Sequence, residues 1–314
     1  MLNKKNKLKK ANFFFKMIYI YIGIMPSPKI YDILDKKIYI LFDYNVDNRI
    51  ISDLYSTDNS IIYLLTSWHN SENAIKIVNN NKDYNIVLLA NSEEEKSYFE
   101  KNVSCDVLYF NHNALLDENK FKINNTTVEY DLVIDSCFSS YKNRDLACKV
   151  DNTVHIGYFK YNEKVIPSFG TIANTINNSY TRLNKDQICN IYNKSYVGGI
   201  FSLCEGACFA STQYLLAGIP IVSTESKGGR DIWYNSSNSI ICNNNEDDCY
   251  KSVQKAKNMV ISGEFNREFI RNNTIELMNK FRNELKKNII EKFKNLFNIQ
   301  INMNELNINL SFNY

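Results

Sequence analysis

Residues 196–234 of the chain read YVGGIFSLCEGACFASTQYLLAGIPIVSTESKGGRDIWY, and this stretch decides the predicted fold. Residues 197–203 form an apolar run with two glycines, which is typical of a buried parallel strand. After an acidic turn, residues 207–217 place small or apolar side chains at the spacing of one helix face, and Gly218 predicts the end of that helix. Residues 219–223 predict a second strand. This order of elements indicates a parallel α/β unit.

The turn between the first strand and the helix carries the predicted chemistry. The first amides of the predicted helix belong to Gly206, Ala207 and Cys208, and a helix N-terminus favours an anion. Glu205 beside them is a poor phosphate ligand, but it can accept hydrogen bonds from hydroxyl groups attached to a phosphate. The loop Lys227-Gly228-Gly229-Arg230 lets backbone approach the same ligand and adds two cations. An anion joined to a polyhydroxylated group suggests a nucleotide sugar.

These residues resemble the donor-binding half of family-4 glycosyltransferases of the GT-B fold. The family hallmark E-G-x(6)-E, on a strand-to-helix turn, is matched at its start by Glu205-Gly206. The following hallmark G-[IV]-P-[IV]-[VI]-[SAT]-T is matched by residues 218–224, and Gly228-Gly229 matches a glycine loop. The resemblance implies an α/β protein with two Rossmann-like, doubly wound domains facing a cleft, braced by a C-terminal helix.

The resemblance also implies roles for single residues. The family's first glutamate contacts the donor sugar and its second contacts the ribose, so Glu205 is expected at the sugar and Gln213 at the ribose. The family grips the donor diphosphate with G-R-x(4)-K-[GN], and Lys142-Asn143 matches its second part, whereas Cys137 stands at the arginine position. Arg144 is expected to supply the missing cation. Charged residues at a helix start are also common on solvated surfaces, but open α/β sheets bind ligands at the carboxyl ends of their strands.

A histidine of the first domain is a further candidate. His69 follows a predicted strand, and family members often place a histidine from this domain near the donor sugar; a surface histidine fits equally well. Asp135, at a strand end, is predicted either to contact ligand or to cap, while His112 and His155 are predicted to be structural. The predicted catalytic residues are Glu205, Lys142 and Arg144, and the predicted donor-binding residues are Gly206, Ala207, Cys208, Gln213, Gly228, Gly229, Arg230 and His69.

The rest of the chain alternates predicted strands and helices. Further strands are predicted at residues 38–42, 61–66, 85–90, 105–110, 131–136 and 154–159, and this alternation implies parallel sheets. Ser92 with Glu95 predicts a capping box that opens a helix to about Lys101, and a helix is predicted from about Arg144 to Lys149. Asn184 and Gln187 are predicted caps of a helix that extends to Lys194. Apolar residues from Met278 to Leu296 follow helical steps.

The expected domain organisation has four parts. Residues 1–25 form a basic and apolar extension, residues 26–124 an acceptor-side domain, residues 125–277 the donor domain and residues 278–314 a C-terminal helix and tail. The apolar run of the extension falls short of the ~20 residues of a membrane span and has no cleavage site after it. We predict a first strand at residues 17–22, with peripheral membrane contact left open.

Composition limits the function classes. The chain has 314 residues, 44% of them hydrophobic, and a net charge of +3, which is too small to indicate a nucleic-acid partner. Its eight cysteines include no C-x-x-C pair and no nearby histidine cluster, so we expect no zinc site. No Asp-x-Asp motif stands at a predicted strand end, and the resemblance implies an enzyme that needs no metal; we expect no cofactor. Free cysteines in apolar runs favour a reducing, cytoplasmic location, with the inner face of a membrane as a variant.

Two functions follow from the sequence. The first is a retaining, metal-independent glycosyltransferase that moves a sugar from a nucleotide sugar to a glycan or lipid-linked acceptor. The second is a GT-B-shaped binding or regulatory subunit without turnover, for which Cys137 and Gln213 are the reason. A sugar-nucleotide epimerase of the same fold has less support from the motifs.

Overall fold

The computed structural model describes residues 29–33, 36–42, 61–159, 175–303, 306 and 310. The predicted extension and its strand at residues 17–22 lie outside this range. The chain divides into two compact units: one holds the described residues up to His112 and those from Asn283 onward, and the other runs from Asn113 to Arg282.

The first unit is built on a largely parallel sheet. Its described strands, in hydrogen-bonded order, are β1 (Lys29–Ile33), β2 (Lys36–Phe42), β3 (Ile61–Thr66), β4 (Asn85–Ala90) and β5 (Asp106–Tyr109). β1 and β2 are antiparallel and the other pairs are parallel. Helices α1 (Glu72–Asn80) and α2 (Glu93–Glu100) connect β3 to β4 and β4 to β5. The four strands predicted in this region are confirmed, with small shifts at some ends.

The predicted capping box at α2 is half right. Ser92 Oγ accepts the amide of Glu95 at 3.1 Å, as predicted. The Glu95 carboxylate accepts the backbone amides of Asn70, at 3.0 Å, and of Asn91. Asn70 follows β3 and Asn91 follows β4, so the buried carboxylate joins the segments after these two strands.

His112 makes the stability of the first unit depend on pH. The ring lies buried with edge contacts to Phe42 and Trp68, and burial lowers its pKa to about 3. Because the unfolded histidine has a pKa near ~6.5, only the unfolded chain takes up this proton between these values. The stabilisation is complete above pH 6.5 and is lost as the pH falls towards 3. We expect the free energy of unfolding to fall by about 2 kcal/mol between pH 7 and pH 5.

Urea unfolding at the two pH values measures this effect. The chain has two tryptophans, so a Trp233→Phe background leaves Trp68 as the fluorescent reporter of the first unit. His112→Gln in the same background is the control and should remove most of the pH dependence. Equal pH dependence in both proteins would show that another group titrates.

The second unit contains an all-parallel sheet. Its strands are β6 (Tyr130–Cys137), β7 (Thr153–Tyr158), β8 (Thr175–Asn177), β9 (Ser195–Ile200), β11 (Ile221–Thr224) and β13 (Ser239–Cys242), in the order β13-β11-β9-β6-β7-β8. β10 (Cys204–Glu205) and β12 (Lys227–Gly228) form a separate parallel ladder. The helices are α3 (Asn178–Thr181), α4 (Lys185–Asn193), α5 (Phe209–Leu216), α6 (Glu246–Ser262) and α7 (Arg267–Phe297), of which α7 continues into the first unit.

Several predicted elements of this unit are confirmed. The strands predicted at residues 131–136 and 154–159 are β6 and β7. Asn184 and Gln187 form a reciprocal capping box at α4. The predicted helix from Met278 to Leu296 is part of α7.

The passage after β6 differs from the predicted helix. It forms two 3-10 turns, Ser140–Lys142 and Arg144–Ala147, separated by Asn143 in the left-handed region with φ of 47°. A left-handed residue cannot continue an α-helix, and asparagine tolerates this conformation better than most residues. The turn places Lys142 just beyond the carboxyl end of β6.

Strand order locates the binding edge of the second unit. From β6 the chain runs outward to β7 and β8, and it then returns to the other side of β6 with β9. The topological switch point therefore lies between β6 and β9. In open parallel sheets, ligands bind at such a point, outside the carboxyl ends of the strands.

Candidate functional site

The two loops predicted to bind the donor are joined by the β10–β12 ladder. Glu205 lies opposite Gly228 in this ladder. The amide of Gly229 donates a hydrogen bond to the carbonyl of Gly206 at 2.6 Å. The glycine loop is thus fixed beside the acidic turn, and the structure brings Glu205, Gly206, Gly228 and Gly229 together.

A lysine–glutamate ion pair lies at the switch point. Lys142 Nζ binds Glu205 Oε1, and only 14% and 5% of the two side chains are exposed. Ser202 Oγ donates to the same carboxylate oxygen at 2.5 Å. Burial lowers the pKa of Lys142, but the Glu205 carboxylate more than offsets this, so that the pKa stands well above its ordinary value. The site therefore holds a firmly charged ammonium group beside a carboxylate that can accept hydroxyl groups.

The position of the family's arginine is occupied by a buried thiol. Cys137 Sγ lies 3.5 Å from Tyr141 Oη, and the Tyr141 ring is half exposed. Lys142 Nζ lies 4.9 Å from the centre of this ring. An aromatic surface next to the cation is therefore part of the site.

Arg144 lies in the interior of the second unit. Its Nη1 is 3.3 Å from His155 Nδ1, and its guanidinium carbon is 5.0 Å from the Phe138 ring centre. Burial lowers the pKa of Arg144 to about 10 and that of His155 to about 3, the latter with a smaller contribution from Arg144. The structure places this predicted cation among core groups of β6 and β7.

Arg230 is fully buried and binds the ends of two central strands. Its guanidinium donates to the carbonyl of Ser202 at 2.7 Å, to the carbonyl of Thr224, and to Asp231 Oδ1 at 2.6 Å. Lys227, the other predicted cation of this loop, is exposed. These contacts give Arg230 a structural part in holding the glycine loop.

Helix α5 begins two residues later than predicted, because Cys208 has a φ of 59°. The helix therefore starts at Phe209, and its first amides are not those of Gly206, Ala207 and Cys208 as predicted. Asn113 Nδ2 fixes this entry by donating to the carbonyl of Ala207 at 2.6 Å and to Thr212 Oγ1 at 2.7 Å.

Gln213 belongs to a buried polar cluster. Tyr192 Oη lies 2.5 Å from Asp135 Oδ2 and 3.2 Å from Gln213 Oε1. Tyr214 Oη accepts the backbone amide of Asp135 at 2.6 Å. Burial raises the pKa of Asp135 to about 6, although Tyr192 and Lys142 oppose this shift. The structure therefore links the predicted ribose residue to a carboxylate on β6.

His69 is the predicted donor-binding residue of the first unit. His69 follows β3, and its Nε2 lies 3.1 Å from Nδ2 of Asn70. Asn70 has a φ of 49°, which turns the chain sharply there. His69 is partly exposed at the carboxyl end of the first sheet.

Sequence reasoning missed two contacts of the site. Ser202 belongs to no motif, and Tyr192 lies near the C-terminal end of α4 and is one of 21 tyrosines in the chain. Both residues reach the site through tertiary contacts; Tyr192, for example, contacts Asp135 although 57 positions of sequence separate them. The sequence feature that pointed to this cluster was Asp135 at the end of a predicted strand.

No group of three or more metal-ligating side chains occurs within the described residues. The helices described here include none with the length and apolar character needed to traverse a bilayer.

Comparison with known proteins identifies the fold. No protein-family model matches the sequence, and no curated protein matches it significantly. Solved structures do match: a point mutant of Staphylococcus aureus TarM in complex with fondaparinux, α-GlcNAc-glycerol and UDP shows 14% identity and a TM-score of 0.55, over 80% of this chain and 58% of that one. Sucrose-phosphate synthase from Thermosynechococcus elongatus shows 10% identity and a TM-score of 0.54, over 75% and 69%.

A structure of OtsA in its apo form shows 11% identity and a TM-score of 0.56, over 84% of this chain and 73% of that one. The chain thus spans 58% of the length of the TarM structure and about 70% of the other two. At such low identity the likeness concerns the fold. Together with the two α/β units and their parallel sheets, it shows that this chain has the GT-B fold.

Proposed function

We propose that this protein is a glycosyltransferase that moves a sugar from a nucleotide-sugar donor to a glycan or lipid-linked acceptor. The observation that carries the proposal is the Lys142–Glu205 pair at the switch point of the second unit. It combines a cation for a diphosphate with an acceptor for sugar hydroxyls, beside a glycine loop that lets a ligand approach the backbone.

Lys142 and Glu205 have different roles in the proposed transfer. As the bond between sugar and phosphate breaks, negative charge develops on the leaving nucleoside diphosphate, and a fixed ammonium group stabilises it. Lys142 fills this part, since its pKa is far above neutrality. Glu205 orients the donor sugar through its hydroxyl groups. We propose that Arg144 and Arg230 support the two loops, and that His69 and the Gly206–Cys208 segment contact the donor.

The Lys142–Glu205 pair also implies an exchange of partners when a donor binds. A diphosphate competes with Glu205 for Lys142, and when it binds, the carboxylate is released towards the sugar. The diphosphate binds Lys142 and the sugar binds the released carboxylate, so only the complete donor provides a partner for both groups. Binding of nucleotide and sugar together is therefore favoured over either part alone.

The retaining outcome and independence from metal are part of the same proposal and rest on the motif resemblance. Peripheral contact with a membrane surface is also part of it and rests on the basic and apolar sequence of residues 1–25. The solved TarM structure contains UDP, which makes uridine donors the first to test.

A non-catalytic nucleotide-sugar-binding subunit is the second candidate. The placement of Cys137 beneath Tyr141, with Arg144 in the interior, favours it because Lys142 then acts without the family's arginine.

A donor panel tests the proposal. The purified protein is incubated with uridine, guanosine and adenosine diphosphate sugars, with and without mixed glycan acceptors, and released nucleoside diphosphate is measured. We expect release from one donor, increased by an acceptor. Saturable binding without release would favour the non-catalytic subunit, and absence of binding to any donor would contradict both candidates.

A further inference from the structure

The carboxylate of Asp135 is only partly satisfied. Its Oδ2 accepts the hydroxyl of Tyr192 at 2.5 Å, and its backbone amide is held by Tyr214. Among the described residues, no second donor to this carboxylate is present. The residue retains partial exposure at the switch point, so a ligand can reach it.

The neighbouring Gln213 competes for the same proton. Tyr192 Oη lies within hydrogen-bond distance of both Asp135 Oδ2 and Gln213 Oε1, but a phenol has one proton to donate. The shorter contact assigns that proton to Asp135. Tyr192 can therefore satisfy only one of these two side-chain oxygens at a time, and a ligand hydroxyl can donate to the other.

A second aspartate on β6, Asp131, can be compared with Asp135. Asp131, four positions earlier on β6, is paired with Lys257 at 2.7 Å, as is usual for a carboxylate that serves structure. Within the part of the chain that the structure describes, Asp135 has no such partner, since Lys142 pairs with Glu205. Burial consequently raises the pKa of Asp135, and keeping it charged costs stability.

Lys142, the cation proposed for the diphosphate, lies just beyond the carboxyl end of β6, the strand that carries Asp135. Its positive charge acts to lower the pKa of Asp135, although burial has the larger effect and the pKa is raised overall. A ligand that fits both groups carries adjacent hydroxyls a short distance from a phosphate. The ribose and diphosphate of a nucleotide have this arrangement.

We propose that Asp135, together with Gln213, binds the two hydroxyl groups of the donor's ribose, and that Asp135 supplies the charged acceptor of this subsite. The inference rests on the proposed function and deepens it. It assigns to β6 a contact that the sequence motif places on α5, and it makes the protein selective for ribonucleotides over deoxyribonucleotides.

Paired nucleotides test the assignment. Calorimetric titration compares UDP with its 2′-deoxy and 3′-deoxy forms, and ADP and GDP are run in the same way. We expect the wild type to bind the ribonucleotide at least about 10-fold more tightly than either deoxy form. In Asp135→Asn the ratio should fall strongly, because ribonucleotide binding weakens while deoxynucleotide binding changes little, and only the part that depends on Gln213 remains.

Matched variants separate recognition from folding. Asp131→Asn removes a carboxylate from the same strand and should keep the wild-type ratio. Gln213→Leu removes only the neutral acceptor and should lower the ratio without abolishing it. This variant also tests the subsite if Asp135→Asn folds poorly, as judged by circular dichroism.

The outcomes distinguish a failure of the ribose subsite from a failure of the proposed transferase function. Equal weakening of ribo- and deoxynucleotide binding in Asp135→Asn would show a structural role and overturn the subsite. A wild type that binds nucleotides without discriminating the deoxy forms would also overturn it and leave the proposed transferase intact. A wild type that binds no nucleoside diphosphate would overturn both.

Discussion

Replacing Glu205 with glutamine is expected to reduce sugar transfer by about 100-fold while the fold is kept. The amide oxygen can still accept the hydroxyl of Ser202, so the buried contact at 2.5 Å survives. What disappears is the negative charge that we propose to bind the sugar hydroxyls. Hydrogen bonds to a charged group contribute about 1.5–3 kcal/mol each, and 1.4 kcal/mol corresponds to tenfold in rate or affinity.

The same variant should show the opposite effect on the nucleotide alone. Glu205 is paired with Lys142, and a nucleoside diphosphate competes with it for the ammonium group. Glutamine binds the ammonium group more weakly, so UDP should bind to Glu205→Gln at least as tightly as to the wild type. A loss of turnover without a loss of UDP affinity would separate a catalytic defect from a damaged pocket.

Glu129→Gln is the matched control. Glu129 also pairs with a lysine, Lys194, at 2.8 Å, but it directly precedes β6 at the amino end of the strand. Its turnover should equal that of the wild type. Full turnover in Glu205→Gln, or a similar loss of turnover in both variants, would show that Glu205 does not have the proposed role.

Gly198→Ala is expected to destabilise the second unit by about 3 kcal/mol. A Cβ atom at this position would lie 2.3 Å from Cδ2 and 2.7 Å from Cγ of Tyr214, whose ring is fully buried. Gly198 is hydrogen-bonded to Pro220 and pairs with β11, so the strand cannot move away. Overpacking of a closed core typically costs about 1–3 kcal/mol, and this site is at the upper end because a rigid ring faces backbone.

The effect should extend to the nucleotide site, because Tyr214 Oη accepts the amide of Asp135. Chemical denaturation measures the stability, and UDP titration measures the consequence for binding. Gly263→Ala is the control: it has a φ of 82° and no neighbour near its Cβ, so it should cost only about 1 kcal/mol. In a Tyr214→Ala background the cost of Gly198→Ala should nearly vanish, and an unchanged cost would show that the ring is not the cause.

The sequence by itself determined the alternation of strands and helices and the donor motif. Apolar runs such as residues 61–66 and 85–90 became strands without a shift, because buried parallel strands require continuous apolar sequence. The caps at Ser92, Asn184 and Gly218 were also readable, since capping depends on residues within a few positions of each other.

Tertiary structure decided which of the predicted groups meet. Lys142 and Glu205 are far apart in sequence, and they pair because β6 and β9 flank the switch point of the sheet. The same packing buried Arg144 against His155 and turned Arg230 towards the carbonyls of Ser202 and Thr224. It also gave Tyr192 two acceptors, Asp135 and Gln213. A motif fixes residue types along the chain, but the direction and partner of a charged side chain depend on strand order and on the groups that surround it in space.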